Sequence, residues 1–312
     1  MNCSSVSLDG VGGPAGSTGR LLCRRTWPVV AMLLLIVPDG RSVAAEPERL
    51  THDGLLKFAP VFTSGGEEIV FSVHNVPNRV SLKRLRLSDG VQELVHPEVM
   101  AHQFDATFSA DGRYHAFALS SNSPQLVLVV QDKLDGKEWT FRPQGARSTV
   151  RTPRMTPDGR RVVFTLSSPG GQQIASVNLQ GEDLQRLTES TGTNCWPAVS
   201  PDGKTIAFSS SRQGHFNIYM MNADGGDVRR ISDSPRRDIR PSWSPDGKRI
   251  AFTSARDGNL EIYVMHADGT GVRRITDHPD RDDYATWHRD GRRLLTVAQR
   301  QGQHDLYLTE IP

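Results

Sequence analysis

Pro241-Ser242-Trp243-Ser244-Pro245-Asp246-Gly247-Lys248-Arg249-Ile250-Ala251-Phe252 joins two short apolar runs through a Ser-Pro-Asp-Gly turn. Proline presets φ at the second position of a type I turn, and glycine takes the left-handed position that follows. Downstream, Ala255–Asn259 is a looser turn, Glu261 to Met265 a third strand, Asp268-Gly269 another turn and Val272 to Thr276 a fourth strand. The same order begins at Pro197-Ala198-Val199-Ser200-Pro201-Asp202-Gly203. With the turn glycine as a ruler, copies fall at Gly66, Gly112, Gly159, Gly203, Gly247 and Gly291, spaced 46, 47, 44, 44 and 44 residues apart. Four strands in a unit of about 44 residues, repeated around a centre, is the signature of a propeller blade. The expectation is all-β: a six-bladed β-propeller of four-stranded antiparallel blades over residues 46–312.

Closure is also written in the repeat. The sixth unit supplies Ala285 to Trp287, Leu294 to Gln299 and Asp305 to Glu310 but no fourth strand. Arg49-Leu50-Thr51, ahead of the first unit, matches the fourth-strand endings Arg186-Leu187-Thr188, Arg230-Ile231-Ser232 and Arg274-Ile275-Thr276. The N-terminal strand is therefore expected to complete the last blade and remove two exposed sheet edges.

Residues 1–45 read differently. Arg20, Arg24 and Arg25 precede an apolar run, Trp27 to Val37, and the small residues Ala44 and Ala45 follow. That order is expected of a secretory signal peptide cleaved after Ala45. Eleven apolar residues are too few to span a bilayer, which takes about 20. Without this leader the chain carries 33 residues of each charge sign, so the basic pI of about 8.5 makes no case for nucleic acid. Cys3 and Cys23 leave with it, and Cys195 alone cannot form an intramolecular disulfide. A periplasmic or secreted protein is expected, held together by burial.

The Ser-Pro-Asp-Gly-Lys-x-Ile-Ala-Phe and Ile-Tyr-x-Met-x-Ala-Asp-Gly strings of units four and five resemble the TolB-type, WD-repeat-like propeller family. Unit three follows less closely (Thr156-Pro157-Asp158-Gly159), and units one, two and six diverge. The resemblance implies a periplasmic or secreted partner-binding scaffold. Glu46 to Phe58 is too short for the α/β domain that precedes the TolB propeller, so that domain is not expected. Fold analogy alone does not carry a function across.

Asp202, Asp246 and Asp290 are expected to cap their own turns rather than bind metal. Arg212, Arg256 and Arg300 recur in register, as do Asn217, Glu261 and Asp305, which reads as a pairing internal to each repeat. Tyr219, Tyr263, Tyr307, Trp243 and Trp287 keep register too and are expected to pack between blades. Residues that break the repeat are more informative because the fold does not demand them. Those entering the innermost strands, Lys57, Gln103, Arg151, Asn194, Asp238, Arg240, Asp282 and Asp283, are expected to converge on the channel mouth as a mixed polar funnel.

Ten histidines form no His-x-x-x-His pair, there is no Gly-x-Ser-x-Gly elbow, and no glycine-rich phosphate loop leads into a helix. No catalytic residue, metal or cofactor is therefore assigned. The expected function is a non-catalytic binding propeller with a protein or cell-envelope glycan partner and no membrane span. The rivals are a metal-dependent polysaccharide lyase or hydrolase of the oligogalacturonate-lyase type, and an accessory propeller to a separately encoded peptidase.

Overall fold

The computed structural model describes residues 46–76, 78–120, 125–145 and 147–311. The expected leader, residues 1–45, lies outside them. After β1 (Glu48–Arg49), strands β2 (Lys57–Phe62), β3 (Glu68–Val76), β4 (Arg79–Arg86) and β5 (Gln92–Leu94) make one four-stranded sheet. Strands β6 (Gln103–Phe108), β7 (Tyr114–Ser120), β8 (Leu126–Asp132) and β9 (Glu138–Phe141) follow. They share a single eight-stranded sheet with β10 (Thr149–Met155), β11 (Arg161–Ser168), β12 (Gly171–Asn178) and β13 (Gln185–Arg186). Four-stranded order returns with β14 (Asn194–Val199), β15 (Thr205–Ser210), β16 (Asn217–Asn222) and β17 (Arg229–Arg230). It continues with β18 (Asp238–Trp243), β19 (Arg249–Ser254), β20 (Glu261–His266) and β21 (Arg273–Arg274). The last sheet holds β22 (Asp282–Trp287), β23 (Arg293–Arg300) and β24 (Gln303–Glu310), with β1 on its edge.

The expectation of six separate four-stranded blades is corrected. Four such blades stand in the ring, and the second and third sequence units are joined in the eight-stranded sheet. The join is a parallel bridge between Thr149 of β10 and Leu126 of β8. It lies at the start of β8, ahead of the stretch from Leu128 to Gln131 that pairs with β9. Gln125 Nε2 holds the intervening connection there, donating to the carbonyls of Gly145 at 2.6 Å and Pro143 at 3.3 Å.

The innermost strands touch in succession, β2 on β6, β6 on β10, β10 on β14, β14 on β18 and β18 on β22, and β22 returns to β2. Burial occurs mainly between neighbouring sheets. Ala207, Ile218, Met220 and Ile231 of one blade pack on Ile250, Phe252, Tyr263 and Met265 of the next. The repeated second-strand phenylalanines Phe71, Phe117, Phe164, Phe208 and Phe252 are all fully buried, each worth about 1.5–3 kcal/mol of transfer free energy. Trp243 and Trp287 bridge sheets as expected, their Nε1 groups donating to Ala198 O at 3.0 Å and Ser242 O at 3.1 Å. The turn aspartates cap their own turns: Asp246 Oδ1 accepts from Ser244 Oγ at 2.6 Å and Lys248 N at 3.1 Å, and Asp202 is held alike. Gly203 and Gly247 have φ of 72° and 68°, which the turn requires.

β1 pairs antiparallel with β24, Glu48 opposite Leu308 and Arg49 opposite Tyr307. Thr51 Oγ donates to Asp305 Oδ1 at 2.7 Å, and Arg49 Nη2 to Asp305 Oδ2 at 2.6 Å. The same device recurs where Thr276 and Arg274 grip Glu261. Cys195 is buried and free, and burial pushes its thiol up to about 12.

Candidate functional site on the axis

Each innermost strand carries a β-bulge, with register breaks at Phe58/Val61, Phe104/Thr107, Arg151/Arg154, Cys195/Ala198, Ile239/Ser242 and Asp283/Thr286. At every bulge one non-glycine residue has positive φ: Ala59, Asp105, Thr152, Trp196, Arg240 and Tyr284, all between 48° and 58°. The left-handed conformation is disfavoured for such residues. At three of the bulges a hydroxyl on the preceding unit helps to hold it, accepting from the bulge N–H, while Thr152 N and Tyr284 N donate to the carboxylates of Asp105 and Asp283. Ser72 serves Asp105 at 3.1 Å, Thr165 serves Trp196 at 3.1 Å and Ser209 serves Arg240 at 3.0 Å.

The bulge re-aims side chains toward the axis. A cavity of about 80 Å³ lies there, lined among others by Trp196, Arg240, Tyr284, Thr152 and Arg154. The Arg240 guanidinium sits between two rings, 4.6 Å from the Trp196 centroid and 4.2 Å from that of Tyr284. It donates through Nη1 to both Asp283 oxygens at 3.0 Å and through Nη2 to the Tyr284 hydroxyl at 3.3 Å. Burial lowers its pKa, but the Asp283 charge outweighs that and the group stays cationic. Asp283 also accepts from Arg281 at 2.7 Å and Thr253 Oγ at 2.9 Å. Arg151 pairs with buried Asp105 at 2.6 Å and stacks on Phe104 at 4.7 Å.

The residues expected at the channel mouth divide into two sets. Arg151, Arg240 and Asp283 form the ion pairs just described. Lys57, Gln103, Asn194, Asp238 and Asp282 are buried at the starts of their strands. Lys57 Nζ donates to Asp53, to Leu55 O at 3.1 Å, to His304 O at 3.0 Å and to Asp305 at 3.2 Å, tying β2 to the last sheet. Asn194, Asp238 and Asp282 accept from the hairpin arginines Arg212, Arg256 and Arg300 at 3.0, 3.0 and 3.1 Å. Those arginines were expected to pair with Asn217, Glu261 and Asp305; they pair instead with the innermost strand, because the hairpin folds back over it. Among the described residues no donor reaches Gln103 Oε1. Sequence reasoning missed Trp196, Tyr284 and Arg154. Their signal was weak: Arg154 and Trp196 each stand beside a proline in the innermost strand, but Tyr284 does not.

An all-β protein of blade-like sheets around an axial cavity is a β-propeller. The TolB β-propeller domain family (PD40) matches residues 88–240 and 231–312, more than half of the chain, and the chain belongs to that family. Among solved structures, it is similar to a TolB-like protein from Agrobacterium tumefaciens at 23% identity and TM-score 0.67, over 84% of this chain and 93% of that one. It is also similar to a gluconolactonase from Xanthomonas campestris (16% identity, TM-score 0.62, 89% and 99% covered). An oligogalacturonate lyase in complex with manganese aligns at 14% identity and TM-score 0.59, with 86% and 95% covered. At these identities the likeness concerns the fold alone. No curated protein sequence matches significantly. Among the described residues, no helix is long and apolar enough to cross a membrane.

Proposed function

We propose that this chain is an exported, periplasmic or secreted, non-catalytic binding propeller whose protein or cell-envelope glycan partner covers the axial mouth at Arg240, Trp196 and Tyr284. The observation that supports this reading most is the arginine held between two aromatic rings. Tryptophan, tyrosine and arginine are the residue types that concentrate binding energy in interfaces, and here their geometry is set before any partner arrives. Arg240 is 18% exposed and Asp283 almost fully buried, so the acid acts as an anchor and the guanidinium as the contact. Arg151 and Arg281 extend the charged rim. The metal-dependent lyase reading draws on the same fold, but among the described residues no three His, Cys, Asp or Glu side chains converge to hold a metal ion.

The test is capture from the producing organism's own periplasm or culture fluid by immobilised chain. Replacing Trp196 and Arg240 together by alanine should lower capture at least tenfold and shift the unfolding midpoint little. Undiminished capture by that double variant would overturn the site.

A further inference from the structure

The axial cavity holds positive charge that the fold leaves uncompensated. Its ionised lining side chains are the guanidinium groups of Arg154 and Arg240. Asp283 and Asp105, which flank them, lie outside the lining and are already engaged. Asp283 serves Arg240, Arg281, Thr253 and the Tyr284 N–H; Asp105 serves Arg151 and the Thr152 N–H. Arg154 keeps one hydrogen bond, from Nη1 to its neighbour Pro153 O at 2.9 Å, and among the described residues it has no ion-pair partner.

A lysine or histidine so placed would shed its proton, but a guanidinium cannot. Burial does pull Arg154 below its ordinary value, with Asp105 opposing, yet the group remains charged at any physiological pH. Arg154 is half-buried, and a charge drawn partly out of water favours an opposite one beside it. Three residues of the lining, Pro60, Pro197 and Pro241, have no backbone N–H to offer an anion. Recognition therefore falls to the planar guanidinium fork, which matches a carboxylate in bidentate fashion. Arg240 has Asp283 as its ion-pair partner, so of the two lining guanidinium groups only Arg154 lacks one among the described residues, which fits a monoanion better than a doubly charged phosphate. About 80 Å³ holds a carboxylate and a few waters. A divalent cation would be repelled.

The geometry points to a carboxylate-binding site on the axis, with Arg154 as the primary ligand and Arg240, held by Trp196 and Tyr284, beside it. This goes beyond the partner reading, since the cavity takes a small carboxylate whether or not a macromolecule covers the mouth.

The test is calorimetric titration of the full chain with sodium acetate at ionic strength fixed with sodium chloride, with sodium phosphate as a parallel arm. Saturable one-to-one acetate binding is expected. Arg154→Met should weaken it at least tenfold, and Arg154→Lys should recover part of the loss, with circular dichroism verifying that each variant folds. No saturable acetate binding to the native chain overturns the site. So does equal affinity in Arg154→Met or, should that variant not fold, equal affinity in Arg154→Lys. Phosphate binding more tightly than acetate overturns the carboxylate assignment.

Discussion

Asn194, Asp238 and Asp282 stand two residues ahead of Trp196, Arg240 and Tyr284 on the same three strands. In a regular strand, residues two apart share a face. Here the first row lies buried against the hairpin arginines of its own unit, while the second lines the axial cavity. The left-handed residue at each bulge breaks the alternation between them. Polarity therefore does not mark the functional row in this fold. The buried row is the more polar of the two and serves as scaffold; the row that reaches the cavity is partly aromatic and conformationally strained.

The largest expected effect separates the two rows by stability. Asp238→Ala leaves Arg256 facing a pocket without its carboxylate, and loss of one partner of a buried pair costs about 3 kcal/mol. Urea unfolding should show it. An unchanged midpoint would mean that the first row is dispensable and the comparison fails.

A smaller effect should appear within the second row. Arg240→Gly should be about 1 kcal/mol more stable than Arg240→Ala, because glycine adopts φ of 55° without the penalty that a Cβ brings. Equal midpoints for the two variants would show that the bulge stores no strain.

The smallest concerns pH. Asp105, itself a bulge residue, is pushed up by burial, but the Arg151 charge and hydrogen bond and the Thr152 N–H push it down further, so its folded value lies below the ordinary one. A depressed carboxylate contributes stability above its unfolded pKa and loses it as pH falls through the folded value. Stability should thus decline as pH drops from about 4, and Asp105→Asn should make that decline shallower in thermal scans. An equally steep decline in the variant would remove Asp105 as a contributor.

Much of the scaffold was legible because it depends on residue types with narrow backbone preferences. Pro245-Asp246-Gly247 can do little except turn, and Ile250-Ala251-Phe252 shows its burial by composition. The likeness of Arg49-Leu50-Thr51 to Arg274-Ile275-Thr276 was readable for the same reason: both hold a third-strand acid. The joined sheet was not legible. It rests on a single parallel bridge from Leu126 to Thr149, a backbone contact that no repeat residue specifies. The bulge row was read only in part. Ala59, Asp105, Thr152, Trp196, Arg240 and Tyr284 share no chemistry, only a backbone angle imposed by neighbours. Arg154 went unnoticed because an arginine two places past a bulge looks like any solvated cation until the strands around it are assembled.

The seam between β1 and β24 has a further bearing on how the molecule comes into being. Glu48 and Leu308 meet across some 260 residues, so the ring cannot shut until β24 has been made. Until then the final blade waits with a bare flank, open to pairing with a second nascent molecule. The entropy of joining such distant segments grows only logarithmically with the intervening length, which makes the late fastening slow to find but inexpensive to keep. A proteolytic nick between Arg49 and Lys57 would cut the clasp from the chain that holds it, and the mature ring would lose its fastening while most of its sheets stayed intact.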